Sequence, residues 1–175
     1  MDHFDALIIG TGQAGPAMAA RFASAGKTVA VIERHKFGGT CVNTGCTPTK
    51  TLVASAYAIH AARQGAEYGF STGDVRVDIK RVKARKDEAS TRSSQGVEKW
   101  LRGTPNCTVI QGQARFQSPN TVVVNHEVLR ADRIYINVGG RASVPDMPGI
   151  HDVPFLTNSS IMDIDFLPEH LVIVG

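Results

Sequence analysis

The sequence lacks long apolar runs, many cysteines and a strong net charge, and each shortage argues against a class of protein. Its 175 residues contain no run close to the roughly 18 apolar residues of a membrane-spanning helix. Three cysteines are too few for a secreted fold that depends on disulfides. The net charge of +3 is too small to indicate nucleic acid as a partner. Residues 1–5 carry no basic segment of a signal peptide, so we expect a cytoplasmic protein without a membrane partner.

The composition, with 42% hydrophobic and 20% charged residues, is typical of a globular domain. One segment is basic, because residues 76–102 hold nine Lys or Arg against four Asp or Glu. A solvated helix face explains this best. A surface for anions or nucleic acid is the alternative, but no interleaved aromatic residues support it. The six histidines do not stand at metal-ligand spacings, so we predict no metal site.

The first 33 residues have the pattern of a β-α-β unit. Ala6–Ile9 and Thr28–Ile32 are short apolar runs, as expected for strands buried on both faces. Between them lie a glycine-rich turn and an alanine-rich helix over residues 15–25, which Gly26 ends. Residues 36–47 are expected to form a loop before a helix that starts near Thr47. Further along, the pattern predicts a helix over 78–101, an antiparallel meander of strands at 107–111, 114–117, 121–125 and 127–130, and a buried strand at 133–138.

The turn Gly10–Gly15 matches the dinucleotide-binding pattern G-x-G-x-x-G, and Glu33 follows at the end of the next strand. Gly10 permits the tight turn, Gly12 allows a pyrophosphate close to the backbone, and Gly15 lets the helix pack on the strand. Free N–H groups at the start of the helix would bind phosphate, and the Glu33 carboxylate would accept hydrogen bonds from ribose. A β-α-β turn without a ligand is the alternative. The motif alone does not distinguish FAD from NAD.

The sequence Cys41-Val42-Asn43-Thr44-Gly45-Cys46 places two cysteines five residues apart, just before a helix. A zinc site would need further ligands, and a purely structural disulfide does not suit the cytosol. Two incidental buried thiols are another interpretation. A redox pair fits better, because the start of a helix favours the thiolate, which is the reactive form. The third cysteine, Cys107, is expected to pack as a small apolar residue.

Residues 38–50, GGTCVNTGCTPTK, resemble the redox signature of the class I pyridine nucleotide–disulfide oxidoreductases, which include dihydrolipoamide dehydrogenase, glutathione reductase and mercuric reductase. Residues 112–116 resemble the family segment beside the adenine, and residues 136–141 resemble its glycine strand end over the FAD. The fold this implies is α/β, a doubly wound Rossmann-like FAD-binding domain with an inserted antiparallel β-meander. The resemblance implies FAD bound through Gly10, Gly12, Gly15, Glu33, Arg34, Gly39, Thr40, Cys46, Lys50, Ala114 and Gly139.

The resemblance also implies roles in catalysis. NADH or NADPH would reduce FAD, and FAD would reduce a disulfide between Cys41 and Cys46. Cys46 would be the thiolate beside the flavin, and Cys41 would be the thiol that attacks the substrate. Lys50 would lie near the flavin N5 and stabilise its reduced, anionic form. An ordinary surface lysine is the alternative for Lys50.

The resemblance covers nearly the whole chain and implies an FAD-binding domain with the redox disulfide over residues 1–150 and a connecting segment over 151–170. Residues 171–175 repeat the apolar strand and glycine of residues 7–10, so we expect the start of a truncated NAD(P)H-binding domain.

The full-length protein is expected to be a homodimer that acts on a small disulfide, oxidant or metal ion. Threonines at 44, 47 and 49 depart from lipoamide dehydrogenases and favour mercuric-reductase-like enzymes or reductases of reactive chlorine and thiocyanate oxidants. The alternatives are therefore a mercuric or other metal-ion reductase and, for these 175 residues alone, an inactive FAD-binding module.

Overall fold

The computed structural model describes residues 2–174, which divide into two compact units. The first unit holds the residues up to Asn43 together with Thr91–Arg141. The second holds Thr44–Ser90 and the residues from Ala142 onward. The boundary after Asn43 falls between the two cysteines of the pair.

The first unit is built on one six-stranded sheet. In chain order its strands are β1 (Asp2–Ile9), β2 (Val29–Glu33), β3 (Cys107–Gln111), β4 (Arg115–Ser118), β5 (Thr121–Val124) and β6 (Glu127–Ile136). Their order across the sheet is β3-β2-β1-β6-β5-β4. The β1 strand pairs in parallel with both β2 and β6, and β2 pairs in parallel with β3. The β5 strand runs antiparallel to β4 and β6. The predicted Rossmann-like α/β class is confirmed.

The central strands are apolar because the core lies on both of their faces. All five residues of β2 are buried. Along β1, Leu7 belongs to one buried cluster, whereas its neighbours Ala6 and Ile8 belong to the other. Successive side chains of a strand point to opposite faces, so these two clusters lie on the two sides of the sheet. The first cluster includes residues of β5 and β6, and the second includes residues of the helices.

The helix of the β-α-β unit, α1, runs over Ala14–Ser24. It ends before Gly26, which has a φ of 75° and supplies the left-handed residue that commonly follows a helix. Ala19 and Ala23 of α1 are buried in the second cluster together with Leu101. Leu101 lies near the end of the long helix Ile79–Arg102, which the sequence predicted and which is named α4 below. A short helix, α2, covers Gly39–Asn43.

The second unit contains α3 (Cys46–Arg63), a 3₁₀ turn (Gly65–Tyr68), the first half of α4 and a second 3₁₀ turn (Ser160–Asp163). Arg85 of α4 donates hydrogen bonds to α3, at 2.9 Å to the Thr51 carbonyl oxygen and 3.3 Å to the Ser55 hydroxyl. No helix within residues 2–174 has both the length and the apolar character needed to cross a bilayer.

Three sequence-based predictions of local structure are wrong. Residues 107–111 do not belong to the meander but form β3, parallel to β2. This strand lies at the edge of the sheet and is only partly buried, so its sequence resembles that of a meander strand. The predicted strands at 127–130 and 133–138 are one strand, β6, which pairs with β5 at its start and with β1 over most of its length. The predicted loop 36–47 contains the short helix α2.

Residues 171–174, predicted as the first strand of a further domain, have no regular structure, and Gly175 lies outside the described residues. A strand needs hydrogen-bonded neighbours to form, and none pairs with this segment within residues 2–174. The assignment of domains therefore stays a prediction.

Candidate functional site

The glycine turn joins β1 to α1 at the carboxyl end of the parallel strands. Gly10 has a φ of 104°, a conformation that residues with a Cβ rarely adopt. A Cβ on Gly10 would also overlap the carbonyl oxygen of Asn137, which follows β6. The Gly10 N–H donates to the Ile32 carbonyl at 2.7 Å, and the Asn137 N–H donates to the Ile9 carbonyl at 2.8 Å. The turn is thus fixed between β2 and the end of β6.

Gly15 lies at the start of α1 and is buried. A Cβ there would lie 2.5 Å from the Gly10 carbonyl oxygen and 2.9 Å from the Asn137 side-chain nitrogen, Nδ2. Gly12 has more room, since its own Cβ would meet nothing closer than 3.5 Å. The packing expected for Gly10 and Gly15 is therefore present. Binding of a pyrophosphate by this turn stays a prediction.

The carboxylate of Glu33 is buried beside the turn and accepts three hydrogen bonds. The Thr11 N–H and hydroxyl both donate to its Oε2, at 3.0 and 2.6 Å, and the His35 N–H donates to its Oε1 at 2.9 Å. Thr11 is fully buried, and its hydroxyl oxygen also accepts the Gly38 N–H at 3.1 Å. Thr11 was not predicted as a site residue from the sequence. Its only signal there was a hydroxyl residue between two glycines of the motif.

The first part of the redox signature packs directly on the glycine turn. A Cβ on Gly39, which has a φ of 62°, would lie 2.7 Å from the Cα of Gly12. The side-chain amide of Asn43 donates to the carbonyls of Phe37 and Gly39, both at 2.9 Å. These bonds close the short helix α2, in which Thr40 is exposed and Cys41 is partly buried. The structure thus brings Gly39, Thr40 and Cys41 next to the turn.

The second part of the signature forms the start of α3 in the other unit. Cys46 is the first residue of the helix, and Lys50 follows one turn later. Both are exposed. The first turn contains no acidic residue, so none of its own side chains neutralises the positive end of the helix dipole. The pairing of Cys41 with Cys46 and the position of Lys50 beside a flavin stay predictions.

Two more predicted binding residues lie beside Glu33, where β2 and β3 end. The Arg34 guanidinium donates to the Gln113 side-chain oxygen at 3.4 Å, and the Gln113 amide donates to the Ala114 carbonyl at 3.3 Å. The Gly112 N–H donates to the Glu33 carbonyl at 2.8 Å, which holds this segment against β2. The remaining predicted residue, Gly139, follows β6 with a φ of 68°.

The third cysteine is separate from this group. Cys107 begins β3 and packs against the second buried cluster. Burial raises the pKa of its thiol above the ordinary value, which disfavours the reactive thiolate. Within residues 2–174, no group of three or more His, Cys, Asp or Glu side chains could hold a metal ion.

The residues at this edge of the sheet fit a dinucleotide that binds through phosphate and ribose. Positions 10, 12 and 15 of the turn have no side chain, the first N–H groups of α1 have no acceptor in their own helix, and a buried carboxylate ends the next strand. Ligands of open α/β sheets bind outside the carboxyl ends of the strands, which is where these residues meet. The class that fold and site define is a Rossmann-like domain of the dinucleotide-binding type, in which the segment that carries Cys41 packs on the glycine turn.

Comparison with known proteins identifies the family. The family model of pyridine nucleotide-disulphide oxidoreductases matches residues 4–175, and the chain belongs to this family. It is 33% identical over 174 residues to a mercuric reductase of Lysinibacillus sphaericus and 32% identical over 178 residues to a dihydrolipoyl dehydrogenase of Acholeplasma laidlawii. These alignments include 99% of this chain in both cases, but 32% and 53% of the relatives.

Solved structures agree with this assignment. The HOCl-induced flavoprotein disulfide reductase RclA from Escherichia coli matches with a TM-score of 0.74 and 34% identity, over 94% of this chain and 35% of that one. The Cu(II) complex of an RclA variant matches with a TM-score of 0.78 and 32% identity, over 96% and 36% of the two chains. The chain therefore spans about a third of the length of most of these relatives. The predicted family is confirmed, and FAD and NAD(P)H are the cofactors that this family uses.

Proposed function

We propose that the protein containing this chain is an FAD-dependent disulfide oxidoreductase that takes electrons from NADH or NADPH. The observation that carries the proposal is the packing of Gly39 on Gly12. It attaches the cysteine-bearing segment to the turn that suits the phosphates of a dinucleotide. Residues 1–150 would form the FAD-binding domain, residues 151–170 would connect, and residues 171–175 would begin the NAD(P)H-binding domain.

The residues that would hold FAD divide by the part of the cofactor that they suit. Gly10, Gly12 and Gly15 leave backbone N–H groups open to the pyrophosphate, and the Glu33 carboxylate suits the ribose hydroxyls. Arg34 and Ala114, which Gln113 links by hydrogen bonds, would lie beside the adenine, as the family resemblance implies. Gly39, Thr40, Cys46, Lys50 and Gly139 are proposed on the flavin side from the family resemblance. When bound, FAD would accept a hydride and pass on two electrons singly or as a pair.

The two cysteines would store these electrons. Reduction of a Cys41–Cys46 disulfide takes two electrons and two protons and gives two thiols. The thiolate of Cys41 would attack a small disulfide, which breaks its S–S bond, releases one sulfur as a thiolate and leaves the other in a mixed disulfide with Cys41. The Cys46 thiolate would then attack the Cys41 sulfur, release the second thiolate and form the internal disulfide again. The Lys50 ammonium would favour negative charge that develops close to it.

An anaerobic titration of the natural full-length protein with NADH and NADPH tests this function. The wild-type protein should take up four electrons, two for FAD and two for the disulfide. Cys46→Ser should take up two, and it should lose the long-wavelength absorbance that a thiolate beside a flavin produces. Cys107→Ser is the matched control and should behave as wild type. Absence of flavin, or equal uptake by wild type and Cys46→Ser, would refute the proposal.

A metal-ion reductase is the second candidate. It is favoured because several relatives that are 30–34% identical to this chain are mercuric reductases. The full-length protein would then oxidise NAD(P)H faster with Hg²⁺ than with a small disulfide.

The same protein is proposed to be a cytoplasmic homodimer, and gel filtration with light scattering can check the dimer. The 175 residues alone would bind FAD without turnover.

A further inference from the structure

Asn137 is the first residue after β6 and lies under the glycine turn. Its backbone N–H donates to the Ile9 carbonyl at 2.8 Å, which extends the parallel pairing of β1 and β6 by one residue. This bond fixes the Cα of Asn137 opposite the point where the turn leaves β1. From the sequence, Asn137 belongs to the predicted strand 133–138 and to the segment 136–141 that resembles the family's strand end over the FAD, but its side chain had no predicted role.

The side-chain amide of Asn137 spans the turn. Its Nδ2 lies 3.3 Å from the Gly10 carbonyl oxygen and 3.4 Å from the Gly12 carbonyl oxygen. An amide nitrogen has two hydrogens, so one group can serve both acceptors. The same nitrogen would lie 2.9 Å from a Cβ on Gly15. The glycines therefore leave the space that this amide fills.

The position of a carbonyl determines where the N–H of the same peptide points. A trans peptide is planar, with its C=O and N–H on opposite sides. In the peptide after Gly10, the carbonyl accepts from Asn137, and the Thr11 N–H points the other way, to Glu33 at 3.0 Å. In the peptide after Gly12, the carbonyl likewise accepts from Asn137, so the Gln13 N–H points away from Asn137. Gln13 is exposed there, directly before α1.

We propose that Asn137 is a positioning residue for the pyrophosphate of the bound dinucleotide. Its amide holds the Gly10 and Gly12 carbonyls on the inner side of the turn, so that the phosphates meet the Gln13 N–H rather than either carbonyl oxygen. Carbonyl oxygens turned outward would repel a diphosphate, whereas N–H groups at a helix start attract it. This inference rests on the proposed binding of FAD and adds a residue that sets its affinity.

The Asn137→Asp variant tests this role, because it keeps the shape of the side chain and replaces the two donors with an oxygen. The oxygen would repel both carbonyls and put a negative charge near the pyrophosphate. We expect the Kd for FAD to rise about 10- to 100-fold, which corresponds to a loss of about 1.4–2.7 kcal/mol in binding free energy. Asn125→Asp is the matched control, because the Asn125 amide also donates to a backbone carbonyl of the first unit, that of Gln111 at 2.7 Å.

Binding should be measured on the flavin-free, natural full-length protein, with FAD, ADP and adenosine as probes. ADP contains the pyrophosphate and adenosine does not, so Asn137→Asp should weaken FAD and ADP but leave adenosine unchanged. Lowering the pH should restore part of the ADP affinity of this variant, because a protonated carboxyl can again donate. Asn137→Ser provides the same comparison of ADP with adenosine if the first variant does not fold. Its shorter side chain has one donor hydrogen instead of two and adds no charge.

The outcomes separate this inference from the proposed function. Equal weakening of ADP and adenosine, or an equal effect of Asn125→Asp, would mean that Asn137 has only a structural role and would overturn the inference. Tight FAD binding by Asn137→Asp and Asn137→Ser would overturn it as well, while the proposed function would stand. A wild-type protein that binds neither FAD nor ADP would overturn both.

Discussion

Removing the Thr11 hydroxyl while keeping the shape of the side chain tests how Glu33 is held. The Thr11→Val variant removes two hydrogen bonds. The hydroxyl no longer donates to the Glu33 carboxylate, from which it is 2.6 Å away, and no longer accepts from the Gly38 N–H at 3.1 Å. The Thr11 N–H still donates to Glu33, so the carboxylate loses one of three donors.

The size of the effect follows from the burial of these groups. Thr11 is fully buried, so water cannot replace the lost partners. A hydrogen bond to a charged group contributes about 1.5–3 kcal/mol, and a buried N–H without an acceptor costs about 1–3 kcal/mol. The two losses share one side chain and are not fully additive, so we expect a loss of roughly 3–4 kcal/mol in the free energy of unfolding. With a urea m-value of about 2 kcal/mol/M, the unfolding midpoint falls by roughly 1.5–2 M.

Urea unfolding of the natural full-length protein at neutral pH, without FAD and with excess FAD, measures this loss. Thr11→Ser is the control, because it keeps the hydroxyl and removes one methyl group, which costs about 1 kcal/mol. The affinity for FAD should fall in Thr11→Val and stay near that of wild type in Thr11→Ser. The reasoning is refuted if Thr11→Val unfolds within 1 M of wild type, or if both variants are equally destabilised.

Three further predictions concern packing and charge. Gly15→Ala places a Cβ 2.5 Å from a backbone carbonyl oxygen of the turn and should abolish FAD binding, whereas Gly96→Ala meets nothing within 4 Å in a helix and should raise stability by roughly 0.5–1 kcal/mol. Hydrogen bonding to Lys27 lowers the pKa of Asp5 from 3.8 to about 2, so its stabilising contribution is present above pH 3.8 and is lost as the pH falls through about 2. In a plot of melting temperature against pH, Asp5→Asn should therefore flatten the acid limb, and an unchanged limb would contradict this. Because burial raises the pKa of the Cys107 thiol, iodoacetamide should label Cys107 at neutral pH much more slowly in the folded protein than in urea.

The elements that the sequence predicted well are those determined by local patterns. The buried strand β2 is a run of apolar residues, and Gly26 ends α1 as expected. The start of α3 follows from Pro48 in its first turn. In these segments propensity, apolar pattern and tertiary position all favour the same structure, so no long-range information was needed.

The errors in the sheet came from partners that a local pattern does not identify. Residues 107–111 form a partly buried edge strand, and their local pattern does not distinguish a parallel edge strand from a meander strand. The strand β6 was divided at residues 131–132 because exposed Asp132 interrupts its apolar pattern. The strand nevertheless pairs with β1 on both sides of Asp132, at Ala131 and at Arg133, and Ala131 is buried in the core.

The missed site residues have the same physical explanation. Asn137 lies more than 120 residues along the chain from the turn that it contacts, and its role appears only when β6 is placed beside β1. Thr11 stands inside the motif, but its importance depends on Glu33 and Gly38, which the fold brings to it from further along the chain. Motif positions can be identified from sequence, whereas the side chains that hold a motif in shape require the topology.

The contact between Gly39 and Gly12 constrains how the site can change. Gly38 and Gly39 both have a positive φ, and a Cβ on Gly38 would lie 2.6 Å from the Val42 side chain. The backbone that leads to Cys41 can therefore follow its course over the turn only with glycine at these two positions. The Asn43 side-chain amide, which donates to the Phe37 and Gly39 carbonyls, holds the segment in this conformation. A side chain at Gly39 would displace Gly12 as well, because its Cβ would lie 2.7 Å from the Gly12 Cα. The backbone that would bind phosphate is therefore in contact with the backbone that leads to the first cysteine, so a substitution at Gly39 should change both the cofactor affinity and the reactivity of Cys41.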